Sequence, residues 1–410
     1  MDQRRLYRTI ESFAWGNARN EKELLKHVLK QIVRSDKINL QGGRVWQYES
    51  ASRSYRLIYQ TGIIERLDQG YRIPVTSYPT FLRVGKERSV IAEETDRYLK
   101  KKGITTYSVA GVGERISFAN TSIYQYLLAF NSETIDEGLL SELNIISVAV
   151  SSLLSRMKME RRATLLAKDI DRAREIQQSI LPEPSLRFHH YDVYGISIPD
   201  RIVGGDFFDY LFSDQDHDRL VIAVGDAASK GLKAAAQAMY VSGALRMGVT
   251  LALKIPPLMS KINTLLQQTF SEEHFISMFY AEFLNDRKGL LLYANAGHNS
   301  PMLYRSKQRV IELLEATGQI LGPFQNERYR VENTYIHLND VLVMYTDGIT
   351  EARNSSGEQY GEKRLAQRIE HLHDKSAEHI CKGLLAHVES FSKGVEEGDD
   401  KTIVIVKRIQ

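Results

Sequence analysis

Apolar residues first recur at helical spacing in the opening 35 residues. Leu24, Leu25, Val28, Leu29, Ile32 and Val33 alternate with Lys and Glu, which predicts a helix. Gln41-Gly42-Gly43 marks a turn. The spacing then changes to that of strands: R-V-W-Q-Y-E-S (44–50) and S-Y-R-L-I-Y-Q-T-G (54–62) read as two strands, followed by Tyr71–Val75, Ser89–Ala92, Thr105–Val109, Arg115–Ala119 and Ile123–Phe130. A-E-E-T-D-R-Y-L-K-K-K-G (92–103) reads as a short helix with a glycine stop. Residues 1–134 are therefore expected to form an α+β domain with an antiparallel sheet. Ala110-Gly111-Val112-Gly113 has the look of a phosphate loop, but it lacks a third glycine and a strand–turn–helix setting, so it reads as a simple turn.

Residues 135–184 form a second segment. No proline interrupts it before Pro182. Leu139, Leu143, Ile146, Val150, Leu153 and Met157 follow one another in steps of three and four, the spacing of a coiled-coil seam. The charged K-M-E-R-R (158–162) breaks the seam. It resumes in shifted phase at Leu166, Ile170, Ala173, Gln177 and Ile180, a stutter that changes local supercoiling. This predicts a long linker helix and a homodimer formed through it; the alternative is an amphipathic helix lying on its own domain. The longest uncharged apolar stretch, Ile145–Leu154, is interrupted by Ser147, Ser151 and Ser152 and falls short of the ~20 residues that span a bilayer, so no membrane segment is expected. Pro182-Glu183-Pro184 ends the helix.

From 185 to 410 the pattern is β-rich with inserted helices. Tyr191–Ile198, Leu220–Val224, Ser277–Leu284, Leu290–Ala294, Met302–Tyr304, Val341–Tyr345 and Ile403–Val406 read as strands. Leu232–Gly248, Leu258–Gln268 and two stretches near 361–372 and 376–392 read as helices. Helices that fall in pairs between strands, without regular βαβ alternation, suggest an antiparallel sandwich flanked by helices.

Composition narrows this picture only slightly. At 43% hydrophobic and 26% charged the 410-residue chain is ordinary globular protein, long enough for two or three domains. A net charge of +3 gives no case for nucleic acid. The single cysteine, Cys381, excludes an intrachain disulfide framework, suits a reducing compartment and reads as a buried structural thiol. The basic start lacks the apolar region of a signal peptide, and the protein is expected to be cytoplasmic.

Chemistry enters with four aspartates: Asp206 in G-G-D-F-F-D, Asp226 in V-I-A-V-G-D, Asp347 in V-L-V-M-Y-T-D-G and Asp399 in G-D-D-K-T-I-V-I-V. Asp226 and Asp347 end β-branched runs and Asp399 precedes one. Carboxylates at the mouths of buried strands are costly unless positive charge compensates them. Several at one sheet edge would repel each other, and a hard divalent cation with oxygen ligands resolves that repulsion. The D-Q-D-H-D cluster (214–218) reads as a solvated hairpin turn.

Five motifs in order, G-G-D-F-F-D (204–209), G-D-A-A-S-K-G (225–231), N-A-G-H-N-S-P (295–301), Y-T-D-G-I-T-E-A-R-N (345–354) and D-D-K-T (399–402), make residues 185–410 resemble the metal-dependent serine/threonine phosphatases of the PPM superfamily. The resemblance is to the bacterial class typified by stage II sporulation protein E and the stress-response phosphatases. It implies an αββα sandwich and two Mn²⁺ or Mg²⁺ ions. It makes Asp226 the bridging ligand, adds the carbonyl of Ala227, and gives Asp347 and Asp399 to the first metal. Asp206 reaches the second metal, directly or through water. Asp209 and Asp400 are expected to face solvent or support the ligands. Such a metal pair neutralises a phosphomonoester and activates water for in-line attack. The resemblance also implies a phosphorylated STAS-domain anti-sigma-factor antagonist as substrate. His298 reads as a turn histidine and is a general-acid candidate by chemistry alone. The family has Ser-Gly where this chain has Ala228-Ser229, which would strain the turn if the glycine needs positive φ. By element order the N-terminal domain resembles a GAF-type sensory domain, with a Per-Arnt-Sim-like domain as the other reading. Two other function classes stand against the phosphatase. A phosphatase-like docking module would have lost metal aspartates, and a different dinuclear enzyme such as a phosphodiesterase would mix His with Asp.

Overall fold

The computed structural model describes residues 18, 20–34, 40–94, 96–102, 104–132, 137–200, 202–212, 218–270, 274–395 and 398–409. The first part of the expected opening helix and most of the 214–218 cluster lie outside them. The chain divides into two compact units, Met1–Leu166 and Ala167–Gln410.

In the first unit, helix α1 (Glu21–Val33) is capped by Asn20, whose side chain accepts from the Glu23 amide. Six antiparallel strands follow: β1 (Gly42–Glu49), β2 (Ser54–Gly62), β3 (Arg72–Pro74), β4 (Ser89–Glu93), β5 (Thr106–Phe118) and β6 (Thr121–Asn131). They form one sheet in the order β3-β2-β1-β6-β5-β4. Two short helices are inserted, α2 (Pro79–Glu87) and α3 (Arg97–Lys101). Alternation divides the side chains between two faces. Val45, Val112, Tyr126, Leu128 and Phe130 pack against α1 and the long helix described below, while Trp46, Val109 and Leu127 pack on the other face with Phe81 and Leu99. The Ala110–Gly113 stretch is no turn. It lies inside the 13-residue β5, where register slips between Val112 and Arg115 and Gly113 takes φ 85°. Gly111 is obligatory there for space, because a Cβ would lie 2.0 Å from the Tyr124 ring.

Helix α4 (Glu137–Ile180) is continuous for 44 residues. The first half of the predicted seam is spent within its own domain: Leu139, Leu143, Ile146 and Val150 are buried against the sheet, Leu153 and Met157 are partly buried on the same core, and Leu154, outside the predicted seam, is buried there too. Ser147 donates to the Gly111 carbonyl, and Ser151 accepts from the Gly113 amide at 3.0 Å. Arg88 donates to both serines at 2.9 Å. By length and composition alone α4 would pass as a membrane span, with a mean hydropathy of 1.5 over 18 residues, a third of them buried. Its buried apolar side chains, with Ser147 and Ser151, dock on the sheet. Farther along, Met159, Leu165, Leu166 and Ile176 are exposed.

The second unit contains two packed sheets. One is built from β9 (Phe207–Phe212), β10 (Arg219–Ala227), β11 (Ile276–Leu284), β12 (Leu290–Ala296) and β15 (Glu332–Tyr335), in the order β15-β12-β11-β10-β9. The other holds β7 (Ser185–Phe188), β8 (Tyr191–Ile198), β13 (Met302–Arg305), β14 (Val310–Leu313), β16 (Val341–Tyr345) and β17 (Lys401–Arg408), in the order β14-β13-β16-β17-β8-β7. Both faces of the central strands are buried, which is why they read as unbroken apolar runs. Ile222, Val224, Leu342, Met344, Val404 and Val406 fill the space between the sheets. Val221 and Ala223 face α5 (Leu232–Thr250) and α6 (Ile255–Thr269) on one outer side. Val343, Ile403 and Ile405 face α8 (Gly361–Leu372) and α9 (Ala377–Phe391) on the other. One helical turn, α7 (Asp347–Thr350), completes the set. The expected αββα sandwich is the observed one. Cys381 is buried in α9, its Sγ 3.8 Å from the Ile403 carbonyl, and burial pushes its pKa up to about 12.

Candidate active site

All four aspartates come from one end of the two sheets. Asp226 is the penultimate residue of β10 and lies opposite Ser277 of β11. Asp206 immediately precedes β9, whose Phe207 pairs with Gly225. On the other sheet, Tyr345 at the end of β16 pairs with Ile403 near the start of β17, so the flanking Asp347 and Asp399 emerge at the same edge. Close backbone approach holds them there: a Cβ on Gly348 would lie 2.0 Å from the Asp400 carbonyl oxygen and 3.2 Å from that of Asp399.

Thr346 joins the two sheets, a role the sequence reading missed. Its hydroxyl donates to Asp206 Oδ2 at 2.6 Å and accepts from the Thr402 amide at 3.0 Å. A hydroxyl next to an expected ligand in Y-T-D-G was the available signal. Asp400, expected near solvent or supporting the ligands, clamps the loop before β9. Its Oδ1 accepts from the Asp200 amide at 2.8 Å and its Oδ2 from the Gly205 amide at 2.5 Å. Gly204 makes room, since a Cβ there would lie 2.6 Å from Asp400 Oδ2. Asp209 belongs elsewhere. It is buried and paired with Arg246 of α5, with Nε to Oδ2 at 2.7 Å, and so does not face solvent.

The electrostatics are those of crowded carboxylates. Burial, then Asp226, raises the Asp206 carboxyl well above its usual range. Burial, then Asp347 and Asp399, pushes Asp226 up to about 7, and a hydrogen bond shared with Asp206 partly offsets this. Burial and Asp399 also raise Asp347. Lys230 supplies local positive charge, its Nζ 3.1 Å from Asp399 Oδ2. Among the described residues no three acidic, His or Cys side chains close on one point as a finished metal cage. The donor set fits a hard divalent cation all the same, being all oxygen, with uncompensated negative charge and no thiol or imidazole among the four. The Ala227 carbonyl accepts from the Ser229 amide at 2.7 Å in a tight turn, and Gly205 lies close to it, where a Cβ would be 3.0 Å away.

The feared strain at Ser229 is absent. In this turn the positive φ is carried by Gly231, at 70°, and not by Ser229, whose hydroxyl donates to Gln237 at 2.7 Å. His298 lies inside the fold, where its Nδ1 is 2.7 Å from the Ser277 hydroxyl and its amide donates to Asn295 Oδ1 at 2.8 Å. Burial pushes its pKa down to about 4, so the ring is neutral near pH 7. This is the turn histidine expected from N-A-G-H-N, extended by a contact to the strand residue opposite Asp226.

The end of α4 also reaches this loop. Gln177 Nε2 donates to the Gly204 carbonyl at 2.6 Å, and its Oε1 accepts from the Gly204 amide at 3.2 Å. Arg246 donates to the Ile180 carbonyl at 2.6 Å.

Residues 216–409 match the family model of stage II sporulation protein E (SpoIIE). The matched segment makes up most of the C-terminal unit, which is similar to this family of phosphatase domains. The chain is similar to the phosphoserine phosphatase RsbU of Bacillus subtilis, at 27% identity over 248 residues, covering 59% of this chain and 71% of RsbU. It is also similar to the phosphoserine phosphatase RsbP of the same organism, at 23% identity, covering 45% of each chain. Among solved structures, the SiaA-PP2C domain of Pseudomonas aeruginosa superposes with a TM-score of 0.53 at 19% identity, covering 61% of this chain and 99% of that domain, a likeness of fold. The C-terminal unit thus carries the αββα architecture expected from its motifs.

Proposed function

We propose that this protein hydrolyses phosphoserine or phosphothreonine on a protein substrate in bacterial signal transduction, using two Mn²⁺ or Mg²⁺ ions held by Asp206, Asp226, Asp347, Asp399 and the Ala227 carbonyl. The observation that carries this reading is the convergence of four aspartates from both sheets at one sheet edge. The match to the SpoIIE family and similarity to two phosphoserine phosphatases support it. When bound, the metal pair supplies the charge that offsets a phosphomonoester and makes water a usable nucleophile near neutral pH.

The chain's own residues do the positioning. Thr346 orients Asp206, Asp400 fixes the loop that carries it, and Gly348 permits Asp399 to approach Asp347. Lys230 draws anions toward the site mouth. His298 does not protonate the leaving group, because it is buried and holds no proton to give near pH 7. It is a positioning residue that ties the N-A-G-H-N turn to β11.

The substrate proposed from the resemblance is a phosphorylated STAS-type antagonist in the cytoplasm. The N-terminal domain is proposed as a GAF-like sensor, a reading supported by its antiparallel sheet with helices on both faces. Its input would travel along α4. Its target would be the loop before β9, because Gln177 grips Gly204 two residues before Asp206. The homodimer is proposed through the exposed part of α4 around Leu165, Leu166 and Ile176, since the first half of the seam is buried within its own domain.

The decisive experiment is hydrolysis of a phosphoserine protein by the full chain with Mn²⁺, with chelator, and after Mn²⁺ is restored. Activity should vanish with chelator and return with metal. Chelator-resistant turnover would reject the dinuclear assignment.

A further inference from the structure

The face of the N-terminal sheet turned away from α1 and α4 covers a narrow cavity. About 450 Å³ of space lies between its walls, part of it open to solvent, and about 40 Å³ admits the centre of a water-sized sphere. Trp46, Phe81, Leu99, Ile104 and Leu127 supply apolar walls.

One wall carries a charge with no counter-ion among the described residues. Arg44 is 3% exposed. Its terminal nitrogens donate to Asn131 Oδ1 and to the Glu65 carbonyl, both at 2.7 Å and both neutral. Its Nε is buried and has no hydrogen-bond partner. The neighbouring charge that acts on it is the like charge of Arg66. A buried guanidinium with neutral partners only is costly, and an anion arriving in the cavity would offset that cost with charge-assisted hydrogen bonds.

The far end is acidic. Glu94 follows β4, three strands from β1 in the sheet order, or roughly 14 Å across at ~4.8 Å per strand. It is buried and accepts from the Tyr78 hydroxyl and the Asp96 amide. Its charge opposes a second negative group on any occupant.

We propose that this cavity binds a small monocarboxylate with an aromatic or branched aliphatic body, the carboxylate on Arg44 and the body against Trp46 and Phe81. A single guanidinium facing Glu94 in a narrow space balances a carboxylate and does not balance a phosphate dianion. The inference does not depend on the phosphatase reading, because binding is measured without turnover.

The test is calorimetric titration and thermal shift of the full chain. The probes are phenylacetate and 4-methylpentanoate as carboxylates, phenylacetamide as the uncharged isostere, and phenyl phosphate as the other anion. At least one carboxylate should bind saturably, with the amide and the phosphate about tenfold weaker or more, a difference of ~1.4 kcal/mol. Arg44→Gln should weaken carboxylate binding at least as much. Ala129→Leu, which fills the cavity beside Arg44 on the adjacent strand, should do so with the guanidinium intact. It therefore keeps the test valid if Arg44→Gln fails to fold. No saturable binding of either carboxylate at millimolar concentration would overturn the proposal. So would binding unchanged in the folded variants, or phenyl phosphate binding as tightly as the carboxylates.

Discussion

Gly348→Ala is the smallest change that should damage the site while leaving every ligand in place. The added Cβ would sit 2.0 Å from the Asp400 carbonyl oxygen, whereas ordinary contact begins at 3.4 Å. The backbone at 399–400 or the Asp347 turn must therefore yield by 3.4 − 2.0 = 1.4 Å. The obstacle is space and not dihedral strain, since Gly348 is not among the positive-φ glycines. A misplacement of about 1 Å in a reacting constellation costs about 100-fold in rate, equivalent to ~2.7 kcal/mol of activation free energy. The overpacking itself should cost about 1–3 kcal/mol of stability. Gly243→Ala is the control. It lies within α5, where an added Cβ would meet nothing within 4 Å, so it should gain up to about 1 kcal/mol and keep its activity. The assay is kcat/KM on a phosphoserine protein across a Mn²⁺ series, with urea unfolding alongside. Gly348→Ala should lose about two orders of magnitude and need more Mn²⁺ for half activity. If it matched Gly243→Ala in both respects, the approach of Asp399–Asp400 to Asp347 would have no part in catalysis.

Asp226→Asn should abolish turnover yet stabilise the chelator-treated protein at pH 7.5. Its folded carboxyl pKa of about 7 lies above the unfolded value near 4, so this group's contribution to stability is fully present below pH ~4 and is lost as pH rises through about 7, a dependence the amide removes. Lower urea midpoints for the variant at pH 7.5 would refute this. Arg246→Leu leaves the buried Asp209 without its ion pair and should cost about 3–5 kcal/mol of stability, while kcat per folded molecule holds. Gln177→Ala removes both bonds to Gly204 and should raise the Mn²⁺ requirement more than it changes KM; an unchanged metal titration would exclude that contact from control of the site. Leu166→Asp should dissociate the proposed dimer in sedimentation without unfolding, whereas Val150→Asp should unfold the N-terminal domain, because Val150 is fully buried there.

The sandwich was legible because its central strands are apolar on both faces, and the convergence of Asp226, Asp347 and Asp399 because each flanks such a strand. Short elements were less legible. Helix α2 escaped notice because Gly85 sits in its last turn, although Pro79 at its first position was a start signal. Gly85 is there for space, as a Cβ would lie 1.9 Å from the Ser122 carbonyl oxygen. Strand β9 was hidden inside G-G-D-F-F-D, and β5 was cut in two by a glycine bulge. The first half of the α4 seam shows the limit of periodicity. A stripe in steps of three and four announces that a face is buried, but not whether a second copy or the chain's own sheet buries it. Asp209 shows the same limit for charge, since nothing local in F-F-D-Y announces Arg246, 37 residues away.

Strand β17 follows every other element of its domain in sequence yet lies inside its sheet, between β16 and β8. Its entry carries Asp399, the Asp400 loop clamp and the Thr402 amide that holds Thr346. On the proposed assignment, one strand entry thus holds a metal ligand, the loop clamp and the anchor of Thr346 together. A cut just before residue 399 should therefore abolish turnover at a stroke, by removing three separate supports of the centre at once.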